Sequence, residues 1–94
     1  MAHTLVKEHQ LIDTYGLTET LNSILNGLIA FTLRERRLEQ KKEKPDQKRI
    51  GDLNALRTEI ADLHNNNKSY ESAERMEELI NKYSPVLKAT EKKS

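Results

Sequence analysis

The chain has 94 residues, no cysteine, and 16 basic against 15 acidic side chains, for a formal net charge of +1. That size holds one small domain, and the missing cysteines exclude disulfides and thiolate metal sites. Leu, Ile, Val and Phe supply 22 of the 94 residues, enough for a thin core of the kind that commonly gains margin from an oligomer. The first residues are polar, and no apolar stretch approaches the roughly 20 residues of a membrane span. The expectation is a cytoplasmic protein with no membrane span.

Glycine and proline are scarce, so each acts as punctuation. Residues 4–14 predict a short helix carrying Leu5, Val6, Leu11 and Ile12, closed by Gly16, with Thr18 capping the next helix. Leu17, Leu21, Ile24, Leu25, Leu28, Phe31 and Leu38 then recur at helical spacing. They predict a long helix to about Lys44, where Pro45 disfavours helical geometry at the preceding residue. A third helix is expected from Asp46 or Asp52 to His64. Its stripe of Ile50, Leu53, Leu56, Ile60 and Leu63 is an a/d-type, coiled-coil-like seam for one partner helix.

Asn65-Asn66-Asn67 is a turn signal. Ser69 is expected to cap a fourth helix, Tyr70 to Tyr83, with a stripe of Ala73, Met76, Leu79, Ile80 and Tyr83. Ser84-Pro85 should end it, Pro85 opening a further short helix, and residues from Ala89 onward read as a frayed tail. No segment alternates with period two. The fold class is therefore all-α: a small helical bundle or helical hairpin with one long central helix, completed by oligomerisation. The organisation expected within this single domain is 1–44 (short helix plus long apolar helix), 45–88 (helical hairpin) and 89–94 (disordered tail).

Within residues 52–85, Ile60-Ala61, Tyr70, Ala73 and Pro85 fall at positions that resemble a single tetratricopeptide-type helical hairpin. His64 replaces the pattern's bulky aromatic, and Glu77 stands where a hydrophobe is expected. The resemblance implies an antiparallel helix pair closed by Pro85, in one copy only, whereas such repeats stack in threes or more.

Chemistry-bearing patterns are sparse. His9 and Asp13 are four apart with Glu8 beside them, short of a metal site without further ligands. Ser23, Ser69, Ser72 and Ser84 lack a glycine-flanked elbow, and the three glycines form no phosphate loop. The reading is non-enzymatic, with no catalytic residue, cofactor or metal expected.

Two segments carry the functional reading. The near-continuous apolar run from Ile24 to Leu33 stops at Arg34-Glu35-Arg36-Arg37. A helix this apolar must be covered on more than one side, and the other stripes are narrow. Leu21, Ile24, Leu25, Leu28 and Phe31 are therefore the expected interface with a second copy, as a homodimer, or with another protein. The expected function is an α-helical interaction module that self-associates and binds a partner protein in the manner of an adaptor, chaperone, inhibitor or antitoxin. The alternative is a small nucleic-acid-binding regulator. It would use the basic band at 34–49, with Arg34, Arg36, Arg37, Lys41 and Lys42 as contacts. That band holds eight basic residues, but Glu35, Glu39, Glu43 and Asp46 interrupt it, and no aromatic is interleaved for stacking on bases.

Overall fold

The computed structural model describes residues 2–92, with side chains described for residues 16–91. The described residues form three helices, α1 (Ala2–Gln40), α2 (Gln47–His64) and α3 (Ala73–Lys92), with a 3-10 turn at Asn67–Tyr70 between the last two. The fold is all-α, as the spacing of the apolar residues predicts.

The first departure is at Gly16. α1 runs through it without a break, and no glycine takes positive φ. Glycine inside a helix costs about 1 kcal/mol relative to alanine, a penalty that a 39-residue hydrogen-bonded ladder absorbs. Thr18 is therefore interior to the helix and not its cap. α1 also ends earlier than Lys44. Its last turn tightens through Lys41 N–H to Leu38 O (3.3 Å) and Lys42 N–H to Glu39 O (3.2 Å). The carboxylate of Glu39 closes the turn by accepting from Lys42 Nζ at 3.1 Å and from the Asp46 N–H at 3.3 Å.

α2 starts where sequence places its first candidate cap. Asp46 Oδ1 accepts from the N–H groups of Lys48 (3.0 Å) and Arg49 (3.3 Å), satisfying two orphan donors of the first turn. Gly51 follows within the helix, and a Cβ added there meets nothing within 4 Å. Gly51→Ala should therefore stabilise the fold by about 0.5–1 kcal/mol. The readout is the thermal midpoint, which should rise by several degrees; a fall would show that α2 is not helical at this position.

The second turn departs from expectation in its capping residue. Asn66 accepts from Lys68 N–H (2.9 Å) to start the 3-10 turn, which carries Ser69 inward to a buried position. Ser72 then caps α3, its Oγ accepting from Arg75 N–H at 3.1 Å. The helix opened by Ser72 does not stop at Ser84-Pro85. It continues through Pro85 to Lys92, so residues 89–92 are helical where a tail was expected. Interior proline removes one ladder bond and is unfavourable. Here the turns beyond it are held by Leu87, which packs on the core and against Gly27 of α1. Pro85 therefore does not close a tetratricopeptide-type hairpin.

Cross-helix contacts fix an up–down–up bundle. α2 folds back antiparallel to α1 across the short 41–46 turn, with Arg49 Nη2 on Glu35 Oε1 (3.4 Å) near the turn and Ile60 in the core with Leu21, Ile24, Leu25 and Leu28 farther from it. α3 runs alongside α1 in the same direction, with Met76 by Thr18 and Leu87 by Gly27. The core joins Leu21, Ile24, Leu25 and Leu28 of α1 to Ile60 of α2 and Met76, Leu79 and Tyr83 of α3. Two hydroxyls clamp its edges: Tyr70 Oη donates to Asn22 Oδ1, and Tyr83 Oη donates to Glu59 Oε2, both at 2.6 Å. Every buried side-chain nitrogen or oxygen among the described residues has a hydrogen-bond partner.

Candidate interaction surfaces

The apolar run lies inside the bundle. Leu21, Leu25 and Leu28 are fully buried, and Ile24 and Phe31 keep 7% and 9% of their surface. A second chain is the cover expected for these five residues; instead Leu21, Ile24, Leu25 and Leu28 join residues of α2 and α3 in the chain's own core, and Phe31 is buried within the same chain. The expectation rested on a shortage of covering surface. α3 supplies the missing cover: Tyr83 joins the core, and by running past Pro85 the helix adds Leu87 against it. Gly27 permits the close approach: a Cβ there would stand 3.1 Å from Leu87 Cδ1.

Among the described side chains, two large apolar residues remain exposed. Leu38 is 52% exposed and Val86 38%. An open groove of about 410 Å³ lies between α1 and the far part of α3, lined by Glu19, Thr20, Ser23, Ile24 and Leu87. His9, Asp13 and Glu8, the weighed metal candidates, lie outside the described side chains.

The basic band takes a definite shape at one end of the bundle, where α1 stops, the chain turns at 41–46 and α2 begins. Three of its four acids are committed to structure. Glu35 pairs with Arg49. Glu39 is buried and holds the turn through Lys42 and the Asp46 N–H. Asp46 caps α2. Of the predicted contacts, Arg34, Arg37, Lys41 and Lys42 are exposed, and Arg36 is half-buried against Asn54. Arg34 also lies over the Phe31 ring, 5.9 Å from its centroid. Lys44 and Lys48 are exposed at the same end. Among the described residues, no ion pair holds Arg37, Lys41, Lys44 or Lys48.

The role of Glu39 was missed from sequence although a signal existed. It stands seven residues after buried Thr32 and eleven after Leu28, on the core-facing line of α1. A carboxylate on such a line must find donors, and the turn that follows supplies them.

Two tyrosines titrate abnormally. Burial raises the Tyr70 phenol above its ordinary value. Tyr83 is pushed up to about 12, first by burial, then by its hydrogen bond to Glu59 and the charge of that carboxylate, with Arg75 opposing. Both hydroxyls serve as donors that join elements. No family model, curated protein or solved structure matches the chain.

Proposed function

We propose that this chain is a non-enzymatic α-helical interaction module that self-associates through the first part of α1 and presents the bundle to a partner protein. The observation that carries this reading is a mismatch of lengths. α1 has 39 residues, whereas α2 has 18 and α3 has 20. At 1.5 Å per residue, α1 is about 58 Å long and each of its cover helices about 27–30 Å. The 41–46 turn ties α2 to the far end of α1, and the near end of the hairpin is bonded at Asn22 through Tyr70. Helical residues 2–15 thus run beyond the bundle, in keeping with a longest dimension of 65 Å.

The sequence of that arm is symmetric in a way that suits two-fold pairing. Leu5-Val6 and Leu11-Ile12 are equidistant from the Glu8–His9 bond. Antiparallel alignment of two arms about that point sets Leu5 opposite Ile12, which are seven residues apart and share one helix face, a self-complementary contact. A lone helix of this length is marginal in water, and pairing offers it apolar cover. The test is sedimentation velocity on the full chain at micromolar concentration. A dimer is expected, reduced to monomer by Leu5→Asp with Ile12→Asp while the melting of the bundle is unchanged. A wild-type chain that stays monomeric would refute self-association.

A further inference from the structure

We infer that the bundle end formed by the last turns of α1, the 41–46 turn and the start of α2 is a binding surface for the phosphate backbone of double-stranded nucleic acid. By sequence the band is mixed, eight cations among four acids. Folding sorts it. Glu35 neutralises Arg49, Glu39 is drawn inside against Lys42 and the Asp46 N–H, and Asp46 turns to the first N–H groups of α2. Glu43 is the one acid of the band with no such structural duty among the described residues.

The cations sort the other way. Arg34 and Arg37 of α1 and Lys41 just past its end stand at i, i+3 and i+7, the spacing that aligns side chains along one face of a continuing helix turn. All three are exposed, Arg34 and Arg37 on the side of α1 away from buried Leu25, Leu28 and Thr32. Lys44 in the turn and Lys48 in the first turn of α2 extend the same cationic end. Five exposed cations on a rigid helix end are suited to a fixed row of phosphates, because each neutralised phosphate releases counterions.

Two features select a duplex over other polyanions. Phe31, the aromatic nearest the band, is buried, so the surface offers no platform for stacking unpaired bases as single-strand binders do. Leu38 is the single large apolar side chain exposed there, far from the broad apolar face that inserts into a lipid interface. The contact is therefore to backbone and independent of base sequence. It is carried by the bundle end and does not depend on the pairing of the arms.

The experiment is a fluorescence anisotropy titration of the full chain with a labelled random-sequence DNA duplex, repeated across a salt series. Five contacts predict a log–log salt slope of roughly −4.5 and about a 500-fold loss of affinity between 50 and 200 mM salt. Arg37→Ala with Lys41→Ala should weaken binding at low salt and reduce the slope by about 2, with helicity unchanged. Should that variant misfold, Lys44→Ala with Lys48→Ala provides the same readout from the other side of the turn. No duplex binding at the lowest salt would overturn the inference. So would a slope untouched by both variants, or binding to phosphatidylserine vesicles in place of duplex.

Discussion

Leu28→Asp should unfold the whole bundle at every protein concentration, and not merely dissociate an assembly. Leu28 is fully buried and belongs to the hydrophobic core cluster shared by all three helices. Truncating such a leucine costs about 2–5 kcal/mol through lost transfer energy and a residual cavity. The substitution also strands a carboxylate with no donor in the apolar interior, a further penalty of several kcal/mol. Their sum reaches the 5–15 kcal/mol that holds a typical small domain together. Circular dichroism should show loss of cooperative melting. Leu38→Asp is the matching control: with half its surface already in water, it should shift stability by no more than about 0.5 kcal/mol. A Leu28→Asp chain that kept wild-type helicity and only changed its oligomeric state would place Leu28 in an interchain contact and refute the packing described above.

The second large effect is confined to alkaline pH. The Tyr83 hydroxyl is held neutral by burial and by donation to Glu59, its titration pushed up to about 12 from an ordinary 10.0. The group binds its proton more tightly in the folded chain than in the unfolded one. Its contribution is therefore complete below pH 10, where both states are protonated, and is lost as pH rises from 10 through 12. The loss by pH 12 is about 2 kcal/mol. Tyr83→Phe removes the linkage together with the hydrogen bond. Near neutrality it should cost about 1.5 kcal/mol, since the bond is to a charged acceptor. The stability curves of the two proteins should then converge above pH 10 and cross before pH 12. Denaturant midpoints measured from pH 8 to 12 check this, and parallel curves across the range would show that Tyr83 does not donate to Glu59. Titration of Tyr70 is common to both proteins and cancels in the comparison.

Much of the bundle is legible in the one-dimensional pattern. The spacing of Leu21, Leu25 and Leu28, the seam from Leu53 to Ile60 and the stripe from Met76 to Tyr83 each name a buried face, and all three meet in the core. A helix must bury its apolar stripe somewhere, so periodicity identifies which residues go inside. The cap at Asp46 is equally legible, because it depends on neighbours two and three residues away.

Helix ends were harder to read, because a glycine, a serine or a proline states a local preference that packing can outweigh. Gly16 and Pro85 stay within helices, and the cap of α3 passes from Ser69 to Ser72. The largest difference concerns the partner of the apolar run. Periodicity shows that Ile24 and Phe31 need cover. It does not show that α3 will pass Pro85 and seat Leu87 against Gly27 to help provide it. The sequence by itself determined an all-helical chain and the membership of its core, since both follow from the 3.6-residue period and local capping. Only the tertiary structure decided which helix covers which, and which acids of the basic band turn inward. Those outcomes depend on groups brought together from distant positions, such as Glu35 with Arg49 and Tyr83 with Glu59.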